Sequence, residues 1–142
     1  MGITLVLDVR NARLEAIRAA LDDAPAPGTL KIFTAPRPAT GASITSQIEI
    51  ATLTFSKPCG NVVAGTLVFA PIAGDPSANH TVDLGQDLPL WGRFYNGYGA
   101  TIMDANVSAA GGGGDIILST LQIVAGGSIG AEGTQVITEG GA

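Results

Sequence analysis

The chain has 142 residues, of which 12 are acidic and 7 basic, so it carries a net charge of -5 with only 13% of residues charged. That balance offers no basic surface to gather nucleic-acid phosphates or anionic lipid, and it argues against direct contact with either. The length suits one domain able to bury a core without disulfides or metal, and the lone Cys59 leaves no internal disulfide to form.

The chain opens on Met-Gly-Ile-Thr-Leu-Val-Leu, which lacks a basic leader and is interrupted by Asp8. It is therefore expected to be neither a signal peptide nor a membrane span, and synthesis in the cytosol follows. Val6 stands where a myristoylation motif wants Ser or Thr. Residues 3–6 are a short β-prone run. A helix is predicted over residues 9–23: Leu14, Ile17 and Leu21 share one face, Ala20 and Ala24 widen it, and Asn11, Glu15, Arg18 and Asp22 lie away from it. Asp8 is the expected N-cap, and Pro25 and Pro27 stop the helix because neither donates a backbone N–H. At about four turns the helix is too short to stand alone in water and must dock.

Strands are then expected at residues 30–34, 48–55, 65–70, 90–95, 101–107, 115–118 and 134–138. In the second of these, Ile48 and Ile50 share one parity while Ala51, Leu53 and Phe55 share the other, which predicts a bulge near Ala51 and Thr52. Turn-forming clusters separate the runs at 57–61, 74–77, 96–99, 111–114 and 126–127. The 20 glycines and 8 prolines fit short strands with tight turns. The predicted fold is mainly β: an antiparallel β-sandwich, immunoglobulin-like or jelly-roll-like, with one short N-terminal α-helix. It is read as a single domain over 1–142, with helix 9–23 on an edge or open end. Low charge beside 46% hydrophobic residues suggests that partners cover part of the surface.

Catalytic patterns fail on context. Gly126 to Gly130 spells G-x-S-x-G, but a nucleophile elbow needs a following helix and a downstream His, whereas a strand follows and the only histidine, His80, lies upstream. Gly97 and Gly99 begin a G-x-G-x-x-G that Ile102 breaks. The Gly111–Gly114 run reads as a flexible hairpin or loop, with an anion-binding nest as the alternative. One His and one Cys do not make a zinc site. Asp75, Asp83 and Asp87 lack calcium-loop spacing and read as a solvated acidic loop. Cys59 reads as a small half-buried apolar residue rather than a reactive thiol. Asn79 and Asn106 head formal glycosylation sequons that matter only in a secretory pathway. Trp91, Phe94, Tyr95 and Tyr98 crowd one segment; they either form a stacking platform for sugar or base, or place Trp91 and Tyr95, or Phe94, in the core. No catalytic, cofactor-binding or metal residue is assigned, and the protein is expected not to be an enzyme.

Several features in order carry a resemblance. They are the helix Arg10-Asn-Ala-Arg-Leu-Glu-Ala-Ile-Arg-Ala-Ala-Leu21, the step Pro27-Gly-Thr-Leu-Lys-Ile-Phe-Thr-Ala-Pro-Arg-Pro38, the strand Ala51-Thr-Leu-Thr-Phe-Ser56, and the C-terminal runs Trp91-Gly-Arg-Phe94, Ile102-Met-Asp104, Asp115-Ile-Ile-Leu118 and Gln135-Val-Ile-Thr-Glu139. In this order, over nearly its full length, the chain resembles small virion structural proteins of tailed bacteriophages and prophages. The resemblance implies a non-enzymatic capsid decoration or cement protein on the head surface, made in the host bacterial cytoplasm. The expected partners are the major capsid protein and further copies of the chain, as a trimer, without nucleic acid, membrane or cofactor. A tail-associated accessory protein and a carbohydrate or host-receptor binding module are the alternatives. Residues 1–7 and 135–142 are candidate termini that order on contact.

Overall fold

The computed structural model describes residues 3–138. One helix, α1 (Leu7–Leu21), precedes eight strands: β1 (Thr29–Phe33), β2 (Glu49–Thr54), β3 (Gly60–Val63), β4 (Thr66–Phe69), β5 (Trp91–Tyr95), β6 (Thr101–Ala109), β7 (Ile116–Leu118) and β8 (Val136–Thr138). They form a five-stranded sheet in the order β2-β1-β5-β6-β7 and a three-stranded sheet β3-β4-β8. The result is the expected mainly β, sandwich-like fold with one short helix.

Period-two alternation places Leu30, Ile32, Leu53, Phe94, Ala105, Val107 and Leu118 on the inner face of the large sheet, opposite Leu67 and Phe69 of the small one. A phenylalanine cluster spans the gap. Phe55 lies 5.2 Å from Phe69 and 5.5 Å from Phe94 between ring centroids, offset geometries that aromatic pairs favour. The helix packs on β3 and β4, reaching β6, and adds the fully buried Leu14 and Leu21 to the core.

Several expectations are corrected. Residues 3–6 form no strand, and Ile3 is 91% exposed; β-propensity there finds no partner edge. The turn expected at 57–61 holds the start of β3, which pairs with β4 through a two-residue turn at Ala64-Gly65, both with positive φ. The helix begins and ends two residues early. Its N-cap is Val6, without a side-chain bond, and Asp8 sits within the first turn. The bulge in β2 falls at Ile50, one residue before the predicted place, since Ile32 pairs with Ala51 and Phe33 with Glu49. Ile50 and Ala51 are consequently both buried.

One strand pair is parallel rather than antiparallel: β7 runs alongside β6 in the same direction. The chain returns over residues 110–115, and the Gly111–Gly114 run permits this tight return. A Cβ on Gly112 would lie 2.7 Å from the Ser108 Cβ, and one on Gly114 would lie 2.7 Å from the Ser108 backbone nitrogen. The Ser108 hydroxyl accepts the Gly114 N–H, and Ala109 O accepts that of Gly112, so two of the amides an anion nest would need are already bonded.

Gln135 ties the two sheets together. Its backbone O accepts the Phe69 N–H, while its buried side-chain amide meets both the N–H (2.9 Å) and the C=O (3.3 Å) of Ile117 in β7. The side chain thus extends the large sheet as a strand would. Gln135→Leu should cost about 1–3 kcal/mol, because the Ile117 N–H and the Glu132 carbonyl lose the side-chain amide that pairs them, while the Ile117 carbonyl keeps the Glu132 N–H. Denaturant unfolding should show this as a lowered midpoint with an unchanged slope.

Candidate functional site

The outer face of the large sheet is where the chain departs most from a plain sandwich. Thr29, Lys31 and Phe33 of β1 lie there beside Trp91, Arg93 and Tyr95 of β5 and Asp104 and Asn106 of β6, as the register dictates. Across this face runs the long β1–β2 connection, residues 34–48, a length at which loops usually carry a role. At the base of this strap the Thr34 N–H donates to Ile48 O, and the Thr34 hydroxyl accepts the Ile48 N–H.

Beneath it, Arg93 and Asp104 form a two-pronged ion pair, Nε to Oδ1 at 2.7 Å and a terminal nitrogen to Oδ2 at 3.0 Å, with side chains 4% and 0% exposed. The second terminal nitrogen of Arg93 donates to Ala42 O at 2.7 Å, and Gly41 N–H donates to Asp104 Oδ2 at 3.1 Å. From the rim, Arg37 donates to Asn106 Oδ1 at 2.7 Å and to Asp104 O at 3.3 Å. Burial by itself would raise the Asp104 carboxyl. The Arg93 hydrogen bonds, the Gly41 N–H and the charges of Arg93 and Arg37 outweigh it and hold the group below its ordinary value. Such a network fixes the strap at several points and leaves its Pro, Ser, Thr and Ala surface outward, as rigid loops on scaffolds often are.

Trp91 completes this layer. It is fully buried, stacked on Phe33 at 4.8 Å, covered by the Arg93 guanidinium 5.2 Å from the ring, and its Nε1–H donates to Thr34 O at 2.9 Å. Of the two parities considered from sequence, Phe94 fills the space between the sheets, while Trp91 fills the space under the strap. Tyr98 is 69% exposed and belongs to neither. A ring enclosed on both faces offers no stacking platform. Trp91 emission is expected at the short wavelengths of an apolar site, with little quenching by acrylamide, and emission typical of wet indole would contradict its burial.

The other residues singled out from sequence occupy separate places. Ser128 lies on an exposed turn whose next residue, Ile129, pairs with Asp75, so no helix follows it. His80 Nε2 lies 2.9 Å from Asp87 Oδ2, which also accepts the Asp83 N–H; those contacts hold the Asp87 carboxyl low, the backbone bond foremost. Asp75 accepts the N–H groups of Thr52 and Ser77, and Asp83 that of Gly85. These carboxylates therefore bond backbone N–H groups, locally in Asp83 and Asp87 and also across to β2 in Asp75, and among the described residues no group of three His, Cys, Asp or Glu side chains is placed to hold a metal ion.

Cys59 is buried, and desolvation, helped by the nearby Asp22 charge, pushes its thiol up to about 11, as befits an inert apolar residue. Asp22, expected on the solvent side, is instead mostly covered. Its carboxylate accepts the Cys59 N–H at 3.1 Å and pairs with Arg18 at 3.0 Å. Lys57 reaches the carbonyls of Asp22 and Ala24, bonding the helix C-terminus to the body.

The strap network escaped sequence reasoning because Arg93 and Asp104 are adjacent only through the β5–β6 register, and Arg37 and Ala42 only through the fold of the connection. The one available signal was a charged residue of the same parity as Trp91 within an otherwise apolar strand. Comparison with protein-family models, with curated proteins and with solved structures finds no match for this chain. No described helix is long and apolar enough to cross a membrane.

Proposed function

We propose that this chain is a non-enzymatic structural protein of a tailed-phage particle that binds the assembled head and reinforces it. The phage assignment rests on the resemblance set out above. The choice of a structural protein over a sugar-binding module rests on one observation: Trp91 is sealed under a pinned strap rather than presented to a ligand. A cement protein needs surface rather than chemistry, since binding only the assembled lattice stabilises that lattice by mass action. Large apolar side chains stand exposed at Ile3, Ile48, Leu84 and Val124, on a chain poor in charge. Contacts of that kind are screened little by salt, unlike exposed ion pairs, whose reach is about 8–10 Å at physiological ionic strength.

Particles stripped of the protein are expected to release DNA at lower temperature and after milder osmotic shock, and adding the protein back is expected to restore resistance, with binding little changed by moderate salt. Depleted heads as robust as complete ones, or protein confined to the tail, would sink the cement role in favour of the tail-accessory one. Binding of the isolated chain to host surface glycans would favour the receptor-binding alternative.

A further inference from the structure

The edges of the two sheets are treated differently. At the free edge of β2, Ala73 exchanges backbone bonds with Thr54 and Asp75 accepts the Thr52 N–H. The free edge of β7 is covered by Glu132 and by the side chain of Gln135. The free edge of β8 is bare. Phe69 N–H bonds Gln135 O, so in this antiparallel ladder the bonded pairs fall at 69/135 and 67/137, and Val136 and Thr138 turn their backbone groups outward. Among the described residues no hydrogen bond reaches those groups. Beside this edge the sandwich gapes: a cleft of about 230 Å³ lies between β8 and the large sheet, with Phe94, Ala105, Ile116 and Ile137 beside Asp104 and Asp115 in its walls.

The chain also carries a strand without a sheet. Residues 3–6, Ile-Thr-Leu-Val, are a β-prone run ahead of α1 that joins no strand, with Val6 in an extended conformation and Ile3 91% and Val6 68% exposed. We propose that residues 3–6 of one copy add as a strand to the free edge of β8 in a second copy, so that the arm is the device by which copies join. The parities agree. A strand beside β8 that sends Ile3 and Leu5 inward, level with Ile137, meets the apolar part of the cleft at Phe94, Ala105 and Ile116, and it leaves Thr4 and Val6 outside beside Val136 and Thr138. The occupant is a second copy because Ile3 and Val6 stay exposed in their own chain, and an unpaired edge is a template for another chain. The proposal concerns how copies meet and stands apart from the nature of the particle.

The full-length chain is expected to self-associate in sedimentation and light scattering. Ile3→Asp with Leu5→Asp should weaken that association on the order of a hundredfold or more, by removing two buried aliphatic chains, while circular dichroism stays unchanged. Val136→Pro should do the same from the other side, since its N–H faces away from β4 and the β4–β8 bonds survive. As a geometric check, a chain carrying Thr4→Cys is mixed with chains carrying Val136→Cys or Thr138→Cys and oxidised, with the buried Cys59 remaining reduced. Disulfide-linked pairs between the two kinds of chain are the expected product. A monomeric full-length chain, association indifferent to the arm variants, or a disulfide closing within one chain when both cysteines are present would overturn the proposal.

Discussion

Arg93→Leu is expected to lower stability by about 3–5 kcal/mol, because it strands the Asp104 carboxylate in a site where its side chain has no exposure at all. That is a large share of the roughly 5–15 kcal/mol typical of a domain, so the variant should melt markedly earlier and lose the near-ultraviolet signal of Trp91 as the strap lifts. Removing both partners, as Arg93→Leu with Asp104→Leu, should recover much of the loss, since no unpaired charge remains; the strap groups they held, Gly41 N–H and Ala42 O, sit near the surface where water can replace them. A double variant no more stable than the worse single one would mean that the strap itself, not the charge, depends on the pair.

The same pair sets the acid limit of the fold. The Asp104 carboxyl is lower in the folded chain than in the unfolded one, and so is that of Asp87. Their stabilisation is therefore complete above the unfolded carboxylate range near pH 4, and it drains away as pH falls through the lower folded values. Unfolding titrations of wild type and the double leucine variant should differ at neutral pH and converge toward low pH, with the loss of that difference falling in the acid window.

Elements governed by local pattern were legible in the sequence. The helix shows in the spacing of Leu14, Ile17 and Leu21, and seven of the strands show as β-prone runs cut by Gly and Pro. The parity break in β2 located its bulge to within one residue, because a switch of buried face requires an extra residue somewhere. What depended on distant partners was not legible. Residues 3–6 have strand propensity but no edge to join, and propensity alone does not make a strand. The 57–61 stretch looked like a turn from its Pro and Gly, yet Gly60 opens β3 because the β4 backbone passes too close for a side chain: a Cβ there would lie 2.3 Å from Val68 O. The parallel return of β7 was hidden for the opposite reason, since a glycine run is equally at home in a hairpin. Asp22 was expected on the solvent side and Gln135 at the start of a terminus that orders on contact; instead their side chains are committed to the backbone of Cys59 and Ile117, residues 136–138 form β8, and 139–142 lie outside the described residues.

Leu14→Asp is expected to abolish folding. Leu14 has no exposure, so the substitution forfeits about 2–3 kcal/mol of apolar burial and adds several kcal/mol for a carboxylate without a partner, a sum that rivals the whole stability of a domain. Ile17→Asp should be milder, because Ile17 packs against the core but remains partly exposed, and its carboxylate can turn to water. The contrast follows from how the helix docks. Its middle and end enter the core through Leu14 and Leu21, and Asp22 and Lys57 lock its C-terminus to the β3 loop, whereas its first turn, with Leu7 and Val9 more than two-fifths exposed, lies largely outside. Soluble expression and far-ultraviolet dichroism of the two variants decide the matter. A folded Leu14→Asp chain would mean that α1 leaves the body without unfolding the strands, and that its apolar face serves contacts between subunits instead.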